Sequence, residues 1–220
     1  MMISIIKQLL DWIYYNNCYF CHKPSSSGLM CDSCYKKIEI NSPKPIKIIS
    51  NIKIYSASSY TGNLKKLIKG LKYHKKKELA KPLANILYNF WQNTELKEKS
   101  FELVPIPLYL ERKKQRGYDH ILLTAKEFSK LTGYSLNTKI VERIKNTKPQ
   151  YKLSKIERMD NLKGAFKVTP DEYKETNLLL IDDICTSGAT LGELINILNQ
   201  NNITNIYAIV GGSNASILEI

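Results

Sequence analysis

The chain has 220 residues, a length that accommodates one full-sized domain with a small appendage and argues against two domains of equal size. Apolar residues make up 43% of it and charged residues 24%, a globular composition that argues against intrinsic disorder. Thirty-three Lys and Arg against twenty Asp and Glu give a net charge of +13, which attracts phosphates, nucleic acid or anionic membrane surfaces. Charge alone does not choose among these partners, and a generally basic, solvated surface is the alternative.

The N-terminal segment is apolar, yet polar residues interrupt it every few positions. Its apolar residues fall at helical spacing and predict an amphipathic helix that packs on the protein's own core. These residues are Ile5, Ile6, Leu9, Leu10 and Ile13. Because no uninterrupted apolar run of about 18 residues occurs, we expect no membrane insertion, and we predict a cytoplasmic location.

Four of the five cysteines form two CxxC pairs, Cys18 with Cys21 and Cys31 with Cys34. Two thiolates three positions apart can face one ion, and two such turns supply the tetrahedron that zinc prefers. Two disulfides or one catalytic CxxC are the alternatives. The first needs an oxidising compartment, for which we see no signal sequence, and the second leaves the other pair unexplained. Since four thiolates leave no open coordination position, the sequence predicts a structural zinc site.

The next segment begins with a candidate linker at residues 41–48, which contain two prolines and no hydrophobic periodicity. A strand is predicted over residues 52–60, followed from Thr61 by a helix with one apolar stripe. The stripe, expected to face the core, consists of Leu64, Leu67, Ile68 and Leu71. The lysines expected to face solvent are Lys65, Lys66, Lys69 and Lys72.

The middle of the chain alternates helices and strands. A second helix is predicted from about residue 78, with Pro82 tolerated in its first turns. A strand follows over residues 101–107, and then a helix over residues 119–131 that ends at Gly133. Residues 140–141 begin a short strand, whereas residues 145–157 are polar and without period, as expected for a mobile loop.

The apolar run at residues 177–181 is typical of a central parallel strand that is buried on both faces. A helix over residues 187–199 and a strand over residues 203–210 complete a βαβ unit. Because strands and helices alternate, we predict an α/β fold with a parallel sheet and helices on both faces.

The most informative segment follows this central strand. Asp182 and Asp183 come directly after it, at the sheet edge where open α/β folds bind ligands. A turn of small and hydroxyl residues then leads into a helix, whose N-terminal N–H groups suit a phosphate. The residues of this turn are Thr186, Ser187, Gly188, Ala189 and Thr190. If the acids bind hydroxyls and the turn binds phosphate, the ligand contains a ribose 5-phosphate; an acidic N-cap on an ordinary helix is the alternative.

This segment resembles the phosphoribosyl-diphosphate motif of the type I phosphoribosyltransferases, in which two acids follow four apolar residues and precede a Thr/Ser/Gly-rich loop. The resemblance implies that Asp182 and Asp183 lie near the ribose 2′- and 3′-hydroxyls, directly or through magnesium. It also implies that residues 186–190 surround the 5′-phosphate of 5-phosphoribosyl 1-diphosphate. Cys185, inside the motif, is interpreted as a small residue that fills the loop rather than as a nucleophile.

The rest of the chain resembles the ComF family, competence protein F and GntX-like proteins. The matching pieces are the two CxxC pairs, residues 60–73, residues 104–107, Arg112, residues 116–120, Arg143, Thr147, Gln150, Arg158, Asn161 and residues 164–166. The resemblance implies a zinc element at residues 1–48 and a type I phosphoribosyltransferase-like domain at residues 49–220. It places Arg112 and Arg116 near the diphosphate, with residues 143–158 as a flexible loop over the site. His120 stands where the resemblance implies glutamine.

Three functions remain open. The first is a phosphoribosyltransferase that acts in DNA uptake and natural transformation with magnesium and an acceptor base that the sequence does not identify. The second is a non-catalytic competence component that binds single-stranded DNA and other competence proteins, and the third is a sensor of phosphoribosyl diphosphate. The DNA-binding hypothesis depends on a lysine-rich stretch with Tyr73 as a stacking residue, and a solvated helix face is its alternative. The lysines are Lys65, Lys66, Lys69, Lys72, Lys75, Lys76 and Lys77.

Overall fold

The computed structural model describes residues 16–146 and 161–214. Its strands are β1 (Asn16–Asn17), β2 (Pro24–Ser25), β3 (Lys47–Ile49), β4 (Ile52–Ser59), β5 (Glu102–Pro105), β6 (Ser135–Leu136), β7 (Val141–Arg143), β8 (Phe166–Val168), β9 (Leu178–Cys185) and β10 (Ile206–Ser213). Its α-helices are α1 (Asp32–Tyr35), α2 (Gly62–Tyr73), α3 (Ala80–Trp91), α4 (Leu110–Arg116), α5 (His120–Thr132) and α6 (Ala189–Gln200). Short 3₁₀ turns lie at Lys77–Leu79, Glu95–Glu98 and Pro170–Glu172.

Six of these strands form one sheet in the order β3-β4-β10-β9-β5-β6. In this order, all neighbouring strands from β4 through β10, β9 and β5 to β6 are parallel. The edge strand β3 runs antiparallel to β4. The mostly parallel α/β sheet predicted from the sequence is therefore confirmed. A parallel sheet brings the carboxyl ends of its strands to one edge, and this edge carries the candidate site.

The two faces of the sheet belong to two separate cores. On one face α2, α3 and α5 pack against alternate residues of β9, Leu179 and Ile181. On the other face α6 packs against the intervening residues, Leu178 and Leu180. Successive side chains of a strand point to opposite faces, so a strand covered on both sides needs an apolar residue at every position. This explains the continuous apolar run from which the central strand was predicted.

Several elements differ from the sequence-based expectation. β9 continues through Cys185, so Asp182 and Asp183 lie within the strand and not after it, because β10 pairs alongside as far as Ser213. α4 was not predicted, since it buries no residue and therefore has no apolar stripe. The short strand at residues 141–143 lies outside the main sheet and pairs with β8. The other predicted helices and strands are present within a few residues of their expected limits.

The N-terminal cysteine segment packs against the main fold. Cys18, Phe20, Met30 and Cys34 belong to the same core as α2 and α3. The segment predicted as a linker is partly an edge of the sheet, because β3 pairs with β4 and Ile46 is buried. The proposed boundary between residues 1–48 and 49–220 stays a prediction. The predicted N-terminal helix and most of the predicted loop at residues 145–157 lie outside the described residues.

Helices of the described segments are all too short or too polar to cross a bilayer.

Candidate functional site

A pocket of about 610 Å³ opens at the carboxyl ends of β5 and β9. Two carboxyl groups, of Asp182 and Asp183, line it. Basic side chains of α2, α4, α5, β7 and the segment after α2 also line it, namely Lys72, Lys75, Arg112, Arg116, His120 and Arg143. The predicted acids and the predicted arginines thus share one pocket. Since basic groups outnumber acids on its walls, the pocket suits an anionic ligand that also has hydroxyl groups.

Asp183 is a buried carboxylate held by two donors. Its Oδ2 lies 2.8 Å from the Lys72 ammonium and 2.7 Å from Nε2 of His120. Burial raises the pKa of this carboxyl, but Lys72 and His120 outweigh the burial and hold the pKa below its ordinary value. Asp183 is therefore ionised at neutral pH, and one of its two oxygens is already occupied.

Asp182 has a different environment. Its Oδ1 accepts the backbone N–H of Asp183 at 2.8 Å. Burial, and then repulsion from the Asp183 carboxylate, raise the pKa of Asp182 to about 8. Two adjacent buried carboxyl groups repel each other when both are ionised. The pair therefore carries one negative charge and binds one proton at neutral pH. A protonated carboxyl donates as well as accepts, which suits contact with a sugar hydroxyl.

The structure corrects the orientation predicted for Lys72 in the helix that begins after Thr61. Its side chain, expected to face solvent, is only 16% exposed and points toward the pocket. Lys72 lies one helical turn after Ile68 of the buried stripe. Its position in the sequence therefore already predicted that it shares the inner face of the helix. His120 was not assigned to the pocket from the sequence, and it is buried there. Arg143 was expected to begin a flexible loop over the site, whereas it is buried at the end of β7.

The predicted diphosphate side of the pocket is built from arginines. Arg112 and Arg116 come from α4 and line the pocket, and their contact with a diphosphate stays a prediction. The Arg116 guanidinium lies 5.8 Å from the centre of the Tyr73 ring and 3.0 Å from Nδ1 of His120. Arg143 comes from β7, where burial lowers its pKa to about 10, still well above neutral. Three permanent cations therefore face the same space.

The turn between β9 and α6, where the sequence predicts a phosphate site, has a backbone that favours glycine at position 188. Gly188 has φ +83 and precedes α6 as its N-cap. A Cβ there would lie 2.6 Å from Cδ1 of Ile49, so only glycine fits without a shift. The ammonium of Lys47 donates to the Ser187 carbonyl at 2.6 Å and fastens the turn to the sheet edge. This role of Lys47, in the segment predicted as a linker, was not visible in the sequence.

A small cavity of about 20 Å³ lies at the same turn, with room for about one water molecule. Thr186 and Thr190 line both this cavity and the main pocket. Cys185 is buried beside it, and burial raises the pKa of its thiol to about 11. A neutral thiol is a poor nucleophile, which agrees with the interpretation of Cys185 as a filling residue.

The four N-terminal cysteines form a cluster that could hold a zinc ion. The sulfurs of Cys18, Cys21, Cys31 and Cys34 all lie within 4.8 Å of one another. Four sulfurs at about 2.3 Å from one ion are separated by about 3.8 Å, and the Cys21 and Cys31 sulfurs are 3.7 Å apart. Backbone N–H groups of Phe20 and Cys31 lie 3.4 and 3.5 Å from the Cys18 sulfur, as around bound thiolates. The geometry fits the predicted metal.

One face of α2 binds this cysteine segment. Asn63 donates to the Cys34 carbonyl at 2.8 Å, and the Lys66 ammonium donates to the Phe20 carbonyl at 2.9 Å. Lys66 also lies over the Tyr19 ring. Two of the lysines assigned to DNA binding, Lys66 and Lys72, are thus engaged within the fold. The lysines of the stretch that remain exposed are Lys65, Lys69, Lys75 and Lys77.

Comparison of the sequence with known proteins finds relatives that are named for competence or for DNA utilization. The chain is 30% identical to Competence protein F of Haemophilus influenzae over 152 residues, which cover 67% of this chain and 66% of that protein. It is 27% identical to DNA utilization protein YhgH of Salmonella typhimurium over 191 residues, 84% of this chain and 78% of that protein. Competence protein ComFC of Bacillus subtilis is 28% identical over 177 residues, 79% of this chain and 68% of that protein. No family model matches the chain.

Proposed function

Because this chain belongs to the ComF family, we propose that it acts in DNA uptake and natural transformation by binding 5-phosphoribosyl 1-diphosphate. The names of the relatives, two competence proteins and a DNA utilization protein, support the process. The observation that carries the ligand is the pair of buried acids, Asp182 and Asp183, in a pocket that six basic side chains also line. A ligand with a vicinal diol between two phosphate ends satisfies both kinds of wall.

In this proposal the ligand lies across the carboxyl end of β9. Asp182 and Asp183 contact the ribose hydroxyls, and the turn at residues 186–190 surrounds the 5′-phosphate at the start of α6. Arg112 and Arg116 neutralise the diphosphate. Magnesium is bound in proteins through one or two carboxylates together with phosphate oxygens, and the second oxygen of the ionised Asp183 carboxylate would supply such a ligand. It supplies further positive charge to the diphosphate when bound.

The pocket also suits transfer of the phosphoribosyl group. In that reaction the bond from C1 to the diphosphate breaks, a bond from C1 to a nitrogen base forms, and the base loses a proton. The negative charge that grows on the leaving diphosphate is stabilised by fixed cations, so no nucleophilic side chain is required. The residues supporting this step are Arg112, Arg116 and Arg143.

We propose further that the cysteine cluster holds a structural zinc ion, bound by Cys18, Cys21, Cys31 and Cys34. All four positions around the ion are then taken by thiolates, so the site stabilises the fold and does not catalyse. The location of the protein in the cytoplasm stays a prediction.

A second function, binding of single-stranded DNA, is favoured by a separate observation. Tyr73 is 60% exposed at the end of α2, beside the exposed lysines of that helix and the segment after it. An exposed aromatic ring among lysines provides stacking and phosphate contacts for a single strand. A protein that binds the diphosphate ligand but neither transfers its phosphoribosyl group nor binds DNA would act as a sensor and pass the signal to other competence proteins.

Calorimetry with phosphoribosyl diphosphate and magnesium tests the main proposal. We expect the native chain to bind, and the double variant Asp182→Asn/Asp183→Asn to remain folded and lose most of the affinity. Release of diphosphate on adding candidate bases distinguishes the enzyme from the sensor. Equal affinity of the native chain and the double variant would contradict the proposed site.

A further inference from the structure

His120 lies between the two sides of the pocket and contacts both. Its side chain is only 1% exposed, at the first residue of α5. Nε2 lies 2.7 Å from Oδ2 of Asp183, on the side of the acids. Nδ1 lies 3.0 Å from Nη1 of Arg116, on the side of the arginines. One imidazole therefore spans the distance between a predicted ribose contact and a predicted diphosphate contact.

The partners determine the protonation state of the ring. A guanidinium has only donors, so Nδ1 must accept from Arg116 and carries no hydrogen. The carboxylate of Asp183 is an acceptor, so Nε2 carries the hydrogen and donates it. Burial lowers the pKa of His120, which agrees with a neutral ring. Lys72, which donates to the same oxygen of Asp183, adds a positive charge that also opposes protonation of the ring.

We propose that His120 is a positioning residue that joins the acids and the arginines of the pocket into one preorganised unit. This inference rests on the proposed function, because it concerns the same ligand. A continuous chain of hydrogen bonds runs from the Arg116 cation through the neutral His120 ring to the Asp183 carboxylate, which the Lys72 cation also contacts. Such a chain holds each member in one orientation. Binding at the diphosphate side is then coupled to the geometry at the ribose side.

Two substitutions of His120 distinguish a positioning role from simple filling of space. Glutamine has both required functions, since its amide donates to Asp183 while its carbonyl accepts from Arg116. Leucine fills a similar volume and has neither function. Thr124→Val is the matched control, because Thr124 is buried on the next turn of α5 and its hydroxyl donates to the backbone carbonyl of His120, not to the ring.

The experiment measures the affinities of three probes, phosphoribosyl diphosphate, ribose 5-phosphate and inorganic diphosphate, each with magnesium. We expect His120→Leu to weaken phosphoribosyl diphosphate at least about tenfold and to weaken both smaller probes. His120→Gln and Thr124→Val should stay within about threefold of the native chain. Thermal unfolding of each variant reports whether the fold is retained. If His120 only fills space, His120→Leu should instead bind the three probes as tightly as His120→Gln does.

Arg116→Ala provides a second test that does not depend on the stability of His120→Leu. Arg116 is partly exposed, and the ligand contact assigned to it is the diphosphate. If His120 transmits its orientation, Arg116→Ala weakens ribose 5-phosphate about fivefold or more, as well as inorganic diphosphate. An effect on inorganic diphosphate alone, or equal affinities of the native chain and His120→Leu, would overturn the inference. A native chain that binds no phosphoribosyl diphosphate would overturn the proposed function and this inference together.

Discussion

The ammonium of Lys72 lies 2.8 Å from the carboxylate of Asp183, and the two side chains are only 16% and 5% exposed. Lys72 ends the inner face of α2, whereas Asp183 lies near the end of β9. A buried pair of this kind is strongly unfavourable to break, because the remaining charge has lost its partner but not its burial. The contact therefore binds α2 to the sheet at the place where the pocket opens.

The first prediction follows from this pair. Lys72→Met should lower the free energy of unfolding by about 3 kcal/mol, because the buried Asp183 carboxylate loses its opposite charge and keeps only the hydrogen bond from the neutral His120 ring. Urea unfolding measures the change. Lys65→Met, at an exposed position of the same helix, is the control and should have little effect. Adding Asp183→Asn to Lys72→Met should restore part of the loss; a double variant less stable than Lys72→Met would contradict this account.

The second prediction concerns the pH dependence that Asp182 imposes. Its pKa is raised to about 8 in the folded protein, so between the ordinary carboxyl pKa of about 4 and pH 8 the folded state binds a proton that the unfolded state lacks. The contribution of this group is present below about pH 4 and is lost as pH rises toward 8. Relative to Asp182→Asn, the native chain should therefore lose stability steadily as the pH rises through that range.

Urea unfolding of the native chain and Asp182→Asn at pH 5, 6, 7 and 8 checks this slope. The difference between the two proteins should shift steadily in favour of the variant. Asp183 has the opposite sign, because its pKa is below the ordinary value, and its contribution is lost only on acidification below about pH 4. A constant difference from pH 5 to 8 would show that Asp182 is ionised throughout.

The features of this fold and site that the sequence predicts are those that depend on local patterns, whereas the others depend on tertiary contacts. The strand before Asp182 was predictable, because a strand buried on both faces is apolar at every position, and the cysteines were predictable because their spacing is local. α4 was not, since a helix that buries no side chain has no periodicity to read. The ion pair of Lys72 with Asp183 and the bridge of His120 depend on the tertiary packing of α2 and α5 against β9, which no local pattern contains. Even so, the helical spacing of Lys72 from Ile68 already placed it on the inner face.

The third prediction concerns the cysteine cluster. The purified protein should contain one zinc ion per chain, and Cys31→Ser should lose it, because three thiolates no longer close the tetrahedron. Cys185→Ser is the matched control, since Cys185 lies outside the cluster and should leave the zinc content unchanged. Metal analysis gives the stoichiometry. Because Cys18 and Phe20 pack in the same core as α2, metal removal should also lower the melting temperature; an unchanged melting temperature would contradict a structural role.

The fourth prediction uses two glycines with similar backbone angles. Gly188 and Gly133 have φ +83 and +77, but a Cβ would contact Ile49 only at Gly188 and nothing within 4 Å at Gly133. Gly133→Ala should therefore cost about 1 kcal/mol from backbone conformation alone, and Gly188→Ala more than that. Only Gly188→Ala should weaken ribose 5-phosphate, because it displaces the turn before α6. Thermal unfolding and calorimetry separate the two effects, and equal costs at both sites would show that Ile49 moves away freely.

The last prediction tests the DNA-binding surface apart from the pocket. Lys65, Lys69 and Lys77 are exposed and do not line the pocket, so Lys-to-Ala changes at all three should weaken single-stranded DNA and leave phosphoribosyl diphosphate affinity unchanged. Each lost phosphate contact reduces the slope of log affinity against log salt by about 0.7, and three reduce it by about 2. Titrations of a labelled oligonucleotide over a salt series measure this slope.

The control is a triple variant of equal charge on other elements, with alanine at Lys126, Lys139 and Lys167, which are also exposed. If these replacements reduce the slope as much as those at Lys65, Lys69 and Lys77, the attraction arises from the net charge of +13 and not from a surface around α2. A smaller slope for the α2 variant alone identifies the surface around α2 as the DNA contact.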